Sequence, residues 1–408
     1  MDWKNQQRLA IFILVSVVSS SVLSDIISNK PSPETPDPLE QFLENQYIKD
    51  KLSVFVETQH YSWENKADST ERGAQSIMPV TLTYRHNNLD LGLRRAYITS
   101  ENKTTGANGK VSTWSDTALT AAYTFKSLDW PVRLSLDYNM PNGKATLNRN
   151  EKNAIMDSFL VQQTQFGEGE NITPGISITK AVDSKNIFGV GLSYSKKGVY
   201  DPNSNVQNDV IDPGNEAIVT AQWQHNEASW MVIGGLIATR YGVTQRSGVD
   251  YYQKGSKYDL NLTTLNALPW DLTQGQQLMF NFRYIMQRKD SNIDPSANVL
   301  KKEAQDSNPD TFYLSLDWSK SWSRRHTLHL LLDYLKAKDN GYAKTDTNYD
   351  AGKSKRSLGL GYDYAISDRS TVSFRAKRFS VSDKAEQAGF SDTEYWGDNL
   401  TLNFNYQF

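Results

Sequence analysis

From residue 52 onward the chain repeats one pattern, in which apolar and polar side chains alternate over about ten residues before a turn. In one such segment Leu328, Leu330 and Leu332 alternate with positions that include His329 and Asp333. A period of two places successive side chains on opposite faces of a sheet. Because strands of soluble sheets most often have only about five or six residues, these longer segments predict an all-β chain of membrane-crossing strands.

The connections between the segments alternate in length along the chain. The short ones are 86–88, 126–129, 183–186, 225–228, 321–325 and 367–369. The long, polar ones are 64–73, 104–111, 142–172, 201–214, 243–255, 288–309, 337–353 and 382–391. Outer-membrane barrels have short periplasmic turns, longer extracellular loops and an even number of strands, whereas a soluble sandwich has no reason to sort its loops in this way. Residues 51–408 are therefore predicted to form a transmembrane, antiparallel up-and-down β-barrel of about 16 strands.

The composition agrees with a barrel that faces lipid on one side only. The mean hydropathy is −0.60, and 38% of the residues are apolar while 11% are aromatic. In a membrane barrel alternate residues face lipid, and Tyr and Trp form girdles at both interfaces. The net charge of −2 lacks the basic excess that nucleic-acid binding requires. The absence of Cys is compatible with passage through an oxidising periplasm.

Residues 1–50 are predicted to lie outside the barrel. Residues 1–24 have the features of a signal peptide, with basic residues followed by an apolar run over 9–18 and then small residues. A membrane anchor is the alternative, but a spanning helix needs about 20 apolar residues and this run is shorter. Residues 25–50 form a Pro-rich periplasmic linker, in which apolar residues at helical spacing predict a short amphipathic helix over 38–49. That helix would either plug or dock at the periplasmic mouth, or simply lead into the first strand.

The last ten residues, 399–408, are the most specific segment of the chain. Every second residue is apolar, and the series ends with Phe404, Tyr406 and the terminal Phe408. The segment resembles the closing-strand signal of bacterial outer-membrane proteins. That resemblance implies a location in the bacterial outer membrane, contact with its lipid, and recognition of the last strand by the barrel-assembly machinery. The alternative is the amphipathic terminal strand of a soluble domain.

Four short motifs carry a second resemblance, within 110–200. They are Ser-Asp-Thr at 115–117, Tyr-Thr-Phe at 123–125, Met-Pro-Asn-Gly-Lys at 140–144 and Phe-Gly-Glu-Gly at 166–169. In kind and order they are similar to the porin-like family associated with the meta-pathway of phenol degradation. The usual Pro-Thr-Gly of that family is Pro-Asn-Gly here. The resemblance implies an outer-membrane channel and adds little about the solute.

Alternation also assigns a set of charged residues to the inward face of the barrel. The predicted pore-lining residues are Glu57, Arg85, Arg94, Arg133, Asp137, Asp259, Arg283, Asp317, Asp333, Asp363, Arg375 and Lys377. A basic side chain that faced lipid at the midplane would cost about 2–4 kcal/mol, so these residues should face a polar lumen. They either line a water-filled pore and select solutes by their field, or pair with one another and stiffen a packed lumen.

The longest connection, 142–172, is the best candidate for a constriction. Within a polar stretch it carries Ile155, Met156, Phe159 and Leu160. Apolar side chains of this size are a liability on a cell surface, so they should fold inward or against a partner. The two interpretations are an inward loop that sets the pore size and a small helical cap on the outer rim.

No catalytic constellation stands out in the sequence. There is no G-x-S-x-G elbow and no Cys nucleophile. His326 and His329 are an odd number of residues apart, so they should point to opposite faces of a strand and cannot form a local metal pair. The sequence therefore predicts no cofactor and no metal site, although an outer-membrane enzyme stays among the alternatives.

The function that these features favour is an outer-membrane channel for passive or weakly selective diffusion of small solutes. One alternative is a sheath or scaffold whose barrel houses a periplasmic or export partner. A second alternative is a transporter for hydrophobic or aromatic compounds, which the inward charges disfavour because such a path should be lined by apolar residues.

Overall fold

The structure is a computed structural model that describes residues 51–126, 128, 130–203, 210–267, 275–294, 296–385 and 391–408. The predicted signal peptide (1–24) and linker (25–50) lie outside the described residues. Within those ranges, no helix is long and apolar enough to cross a bilayer.

Nearly all regular secondary structure is β. Numbered in chain order, the strands are β1 (Lys51–Asn65), β2 (Arg72–His86), β3 (Leu89–Thr104), β4 (Ala107–Trp114), β5 (Thr117–Phe125), β6 (Val132–Met140), β7 (Asn171–Ala181), β8 (Asn186–Lys197), β9 (Ile211–Asp212), β10 (Glu216–Asn226), β11 (Trp230–Tyr241), β12 (Thr244–Arg246), β13 (Val249–Gln253), β14 (Lys257–Ala267), β15 (Gln276–Gln287), β16 (Ser291–Asp294), β17 (Val299–Lys302), β18 (Thr311–Ser321), β19 (His326–Ala337), β20 (Lys353–Ser367), β21 (Ser370–Asp383) and β22 (Thr393–Gln407). One short helix, α1 (Arg149–Lys152), lies between β6 and β7.

The long strands form one closed antiparallel barrel. Consecutive long strands pair along the chain, and β1 closes the barrel on β22 from Ser53↔Gln407 to Asn65↔Tyr395. Strand β3 pairs with β5 near its start and with β4 near its end, so β4 and β5 together make a single wall strand that is interrupted at 115–116. The barrel therefore has 16 strands, and the predicted fold class and strand number are confirmed.

The outward face of the barrel is a broad apolar belt. Leu192 is 57% exposed, Leu358 57%, Leu360 58% and Leu402 52%. A water-exposed apolar surface of this extent is not tolerated by a soluble protein, whereas a closed barrel satisfies every backbone group and can present such a belt to lipid. The alternation seen in the sequence is thus a division between a lipid-facing and a lumen-facing side of each strand.

The two ends of the barrel differ in the length of their connections. At one end the strands are joined by short turns such as 87–88, 227–229 and 368–369. The other end, called here the long-loop end, carries the long connections and a five-stranded antiparallel sheet of order β17-β16-β13-β12-β9.

One predicted connection is wrong. The segment 104–111 was expected to be a long loop, but β3 and β4 form a hairpin that is joined by a tight turn. Gly106 has φ of 81° in this turn, a left-handed conformation that glycine adopts without strain. The outward residues of this segment are polar and lack the alternation of a lipid-facing strand, which explains why the sequence places the start of β4 in a loop although it predicts β3.

Candidate functional site: the lumen and its inward loop

The connection between β6 and β7, residues 141–170, is called here the inward loop. Its only regular element is α1, which Asn148 caps through a capping box with Glu151. Burial alone would raise the pKa of Glu151, but hydrogen bonds from Lys144 and from the Asn148 backbone outweigh it, and the pKa lies below its ordinary value. The loop does not stand above the rim, because its apolar residues contact lumen-facing side chains of the barrel wall.

One apolar cluster joins the middle of the inward loop to the wall near the barrel closure. It contains Met156, Phe159, Leu160 and Val161 of the loop together with Trp63, Ala337, Phe379 and Val381 of β1, β19 and β21. The indole Nε1 of Trp63 donates to Met156 Sδ at 3.1 Å. Of the four predicted constriction residues, Met156, Phe159 and Leu160 are buried here, whereas Ile155 is 41% exposed.

A second apolar cluster joins the flanks of the loop to a different part of the wall. It contains Leu147, Ala154 and Phe166 of the loop with Ile77, Ala96, Ile98 and Val111 of β2, β3 and β4. Ile98 and Ala154 are completely buried in it. The loop is therefore held from two sides by burial of apolar surface, which is the dominant stabilising term in packed protein.

Hydrogen bonds between wall side chains and the loop backbone fix the loop beside these clusters. The fully buried Gln75 of β2 donates from Nε2 to the Gln163 carbonyl at 2.8 Å and accepts from the Gln163 N–H at 2.9 Å. The Ser100 hydroxyl donates to the Ala154 carbonyl at 2.8 Å. Because Gln75 and Ser100 face the lumen, the loop backbone takes the place that water would otherwise occupy along this wall.

An ion pair attaches the tip of the loop to the closure wall. Lys353 Nζ, at the start of β20, lies 2.7 Å from Asp157 Oδ2 and 2.9 Å from Asp383 Oδ2. The three residues lie on the loop, β20 and β21, so one ammonium group bridges the loop to two neighbouring strands. A partly buried, charge-assisted contact of this kind has a defined geometry, so it orients the loop tip that the neighbouring apolar packing holds.

Both stems of the loop converge on Asp116, at the interruption between β4 and β5. Its carboxylate accepts from the Gly143 N–H at 2.7 Å and from the Glu168 N–H at 2.9 Å. A Cβ at Gly143 would lie 2.4 Å from the Asp116 nitrogen, so the close approach requires glycine. The motifs at 115–117, 140–144 and 166–169 thus meet in space and hold the base of the loop.

The predicted pore-lining residues all occupy lumen-facing positions of their strands, since they alternate with the exposed apolar residues of the belt. Most of them pair along the wall rather than across the lumen. Asp90 lies 2.7 Å from Arg85 and 2.5 Å from Arg133, and Arg283 contacts Asp259 with both Nε and Nη2. Such bidentate and bridging pairs stiffen the wall.

A chain of charges crosses four neighbouring strands. His329 Nδ1 lies 2.8 Å from Asp317, its Nε2 lies 3.0 Å from Asp363, and Arg375 Nη1 lies 2.6 Å from the same Asp363. His329 faces the lumen while His326 faces outward, where its ring lies 5.8 Å from Trp322. In the described part of the chain, no group of three or more His, Cys, Asp or Glu residues is arranged to bind a metal.

A second group of polar contacts surrounds Asp333. Its carboxylate accepts from Lys377 Nζ at 2.6 Å, from Tyr313 Oη at 2.8 Å and from Ser357 Oγ at 2.7 Å. The lumen on the closure side is therefore occupied by paired charges and, nearer the long-loop end, by the inward loop.

Three of the predicted residues are exposed towards the lumen, and one of them, Arg283, is the partner of Asp259. Arg94 of β3 and Asp137 of β6 are both exposed, and among the described residues neither forms an ion pair. Glu57 is half-buried and accepts a hydrogen bond from Gln59. By contrast Arg133 and Arg375 are buried, so they support the wall rather than face solvent.

Small residues line the wall across the barrel from the closure cluster. On β7 and β8 the lumen-facing positions include Gly175, Ser177, Gly189, Gly191 and Ser193, whereas the neighbouring β10 and β11 carry the buried Ile218, Met231 and Ile233 on the same face. A Cβ at Gly189 would have no heavy atom nearer than 3.5 Å, which leaves this position open. The apolar clusters of the inward loop contact β1–β4, β19 and β21 instead.

Several residues of the site were missed at the sequence level. Asp90 shares the inward parity of Arg94 on β3, so alternation alone could have identified it. The partners Asp157 and Lys353 lie 196 residues apart, and no local pattern connects them. In the sequence, Gln75 and Ser100 are ordinary polar residues of a strand. Only the folded structure shows that they bind the backbone of the inward loop.

Replacing Gly109 by Ala should displace the inward loop from the hairpin of β3 and β4. The new Cβ would lie 2.1 Å from the Ala154 nitrogen and 2.2 Å from the Asn153 carbonyl carbon, and backbone atoms cannot yield cheaply. Overpacking of this kind costs about 1–3 kcal/mol. We expect faster tryptic cleavage after Lys152 in Gly109→Ala than in the wild type. The matched Gly189→Ala should be cleaved at the wild-type rate; equal rates in all three proteins would contradict the contact.

Comparisons with known proteins give distant structural similarities and no match by sequence. No protein-family model and no curated sequence matches the chain. Among solved structures it is similar to the outer-membrane channel DcaP of Acinetobacter baumannii, with 10% identity over 88% of this chain and 97% of that chain and a TM-score of 0.44. It is also similar to a FadL homologue of Pseudomonas aeruginosa, with 9% identity over 94% and 93% and a TM-score of 0.42. A third is an anion-selective porin from Comamonas acidovorans, with 10% identity over 88% and 99% and a TM-score of 0.41.

Similarity at this level carries no argument about function. The barrel is established by its own strand pairing, which is complete around the ring. The resemblance of the four motifs within 110–200 to the phenol-degradation family stays a prediction.

Proposed function

We propose that the protein is a channel of the bacterial outer membrane that lets small polar solutes diffuse along one side of its lumen. The observation that carries the proposal is the asymmetry of the lumen. The apolar clusters of the inward loop pack against β1–β4, β19 and β21, whereas small residues such as Gly189, Gly191 and Ser193 line the part of the wall across the barrel. A barrel of about 16 strands is wide enough to keep water inside unless something fills it, and here the filling is one-sided.

The lipid-facing belt supports the membrane location, because a closed barrel with polar contents and an apolar exterior matches a bilayer. By the same proposal the short turns face the periplasm and the long-loop end faces the outside. The closing strand with Phe404, Tyr406 and Phe408 would then be the segment that the barrel-assembly machinery binds.

The direct test is the single-channel conductance of the refolded mature protein in a planar bilayer. A steady ohmic current is the expected result. Silence of a correctly folded barrel would contradict the channel and would favour a barrel that houses a periplasmic or export partner, which co-purification in a fixed ratio would reveal. Hydrolysis of lipid or peptide by the same preparation would instead favour an enzyme.

Arg94 and Asp137 should set the ion selectivity of this current, because they are the predicted pore-lining charges that are exposed and, among the described residues, form no ion pair. Arg94→Gln should raise the cation-to-anion permeability ratio by roughly twofold, and Asp137→Asn should lower it by a similar factor. The measurement is the reversal potential in a salt gradient. Lys110→Gln removes a charge from the outside of the β3–β4 hairpin, where its side chain is 68% exposed, and should leave the ratio unchanged. Equal shifts in Lys110→Gln and Arg94→Gln would contradict the assignment.

A further inference from the structure

The outward face of β19–β22 carries an ordered polar surface directly beside the apolar belt. Strand pairing arranges its outward residues in three rows. From the long-loop end towards the belt they are Lys336–Ser354–Ser382–Glu394, then Tyr334–Arg356–Ser380–Trp396, then Leu332–Leu358–Arg378–Asp398. Side chains opposite one another in such rows are about 4.5–5.5 Å apart at Cβ, and diagonal neighbours are within reach of long side chains.

Three basic residues lie on one diagonal of this grid. Lys336, Arg356 and Arg378 belong to three successive strands, and Arg356 and Arg378 are exposed. We call these three residues the basic patch. Among the described residues Lys336 and Arg356 form no ion pair, and Arg378 reaches only Asp398, at 4.0 Å.

The acidic neighbours do not neutralise the basic patch. Glu394 is held by Lys66, whose Nζ lies 2.7 Å from its carboxylate. Asp398 is therefore the one carboxylate in the three rows that can pair with the basic patch. Its single negative charge faces three positive charges. Charges at the edge of a hydrocarbon belt need a counter-charge, because burying them unpaired is costly.

The surroundings of the basic patch suit an anionic group with several oxygens. Ser354, Ser380 and Ser382 place small side chains with hydroxyl donors between the three cations. Aromatic rings orient the guanidinium groups from the side: Arg356 lies 5.9 Å from the Tyr334 ring and Arg378 lies 5.5 Å from the Trp396 ring. Cation–π contacts of this kind hold an Arg in place while its N–H groups stay free to donate.

Apolar side chains continue from the basic patch into the belt. Leu332 is 42% exposed, Leu358 57%, Leu360 58% and Leu400 43%. An occupant of this surface would therefore contact cations and hydroxyls at one end and leucine side chains at the other. That polarity matches a lipid, with its phosphate in the headgroup region and its acyl chains along the belt.

We propose that the basic patch is a binding site for the phosphate group of a membrane lipid whose acyl chains lie against Leu358 and Leu360. The proposal rests on the membrane location proposed above, and it concerns the outside of the barrel rather than the lumen. The three cations and the three serines bind the phosphate oxygens. The lipid thereby holds β19–β21 at the edge of the belt.

The test uses the full-length mature protein in detergent micelles, titrated with lipid A that carries both phosphates. The readout is the lipid-dependent rise in the unfolding temperature, from which an apparent Kd follows. The triple variant Lys336→Gln, Arg356→Gln, Arg378→Gln should weaken binding by at least about tenfold. The matched control is Lys196→Gln, Arg240→Gln, Arg288→Gln, which removes exposed basic residues at the same end of the barrel from β8, from β11 and from the residue after β15, none of which is adjacent to another. It should bind like the wild type.

Dephosphorylated lipid A and inorganic phosphate at equal concentration should each leave the unfolding temperature unchanged. The proposal is overturned if dephosphorylated lipid A stabilises the protein as well as the phosphorylated form, or if the control variant weakens as much as the patch variant. It is also overturned if inorganic phosphate alone raises the unfolding temperature as much, since the bound phosphate would then not have to belong to a lipid. The conductance of the patch variant distinguishes a failure of the lipid site from a failure of the channel. A normal current shows that the variant is a folded barrel with an intact lumen.

Discussion

Replacing residues 154–161 of the inward loop by a short Gly-Ser linker should raise the single-channel conductance by roughly two- to threefold. These residues include Met156, Phe159 and Leu160, which fill the lumen beside the barrel closure. When these side chains are removed, water fills the volume that they occupied. The open cross-section of the lumen then extends beyond the side lined by small residues. The measurement is conductance in a planar bilayer under the salt conditions used for the wild type.

Two controls make this result specific. Removing residues 343–347 shortens an exposed connection between β19 and β20 and should leave the conductance at the wild-type value. The pair of substitutions Asp157→Asn and Lys353→Met keeps the loop but breaks its ion pair, so it should increase current fluctuations rather than the mean conductance. An unchanged conductance in the folded 154–161 variant would show that the inward loop does not narrow the pore.

Removing residues 404–408 should abolish the folded barrel. In the intact chain this segment pairs with the start of β1 and with the start of β21. Without it both strands would present unpaired N–H and C=O groups to lipid, and each such group costs several kcal/mol in hydrocarbon. The folded barrel can be followed by its faster migration on an unheated denaturing gel.

The single substitution Phe408→Ala separates closure of the barrel from recognition of its signal. Phe408 is 59% exposed and donates its N–H to the Leu52 carbonyl at 3.0 Å, a bond that alanine preserves. The variant should therefore refold in detergent like the wild type, yet accumulate poorly in the outer membrane of cells. Failure to refold would assign Phe408 to stability, and normal accumulation in cells would remove it from the assembly signal.

The alternation of apolar and polar residues was enough to predict much of this molecule. A period of two separates the two faces of a sheet. Arg94 and Asp333 are therefore assigned to the lumen side because each is an odd number of residues from the nearest outward leucine in the sequence. The strand number followed from turn residues and connection lengths, which are also local. The start of β4 was assigned to a loop because it extends beyond the belt, where the outward face does not have to be apolar.

Contacts between distant segments could not be predicted in this way. The apolar residues at 155–160 indicated that the longest connection packs its own side chains against other parts of the protein. A helical cap on the outer rim would have buried these side chains as well as an inward loop does. Only the closed barrel brings the loop to Gln75, Ile98 and Lys353, which lie on different strands. In the same way, alternation placed the charges on the inner face but could not say which of them pair.

The sequence by itself thus determined the class of fold, the two faces of each strand and the end of the barrel where the long connections lie, because these depend on neighbours a few residues apart. The tertiary structure decided the side of the lumen that the inward loop occupies, the exposure of Arg94 and Asp137, and the diagonal of cations on β19–β21. Each of these depends on the register between strands, and register is set by pairing around the whole ring.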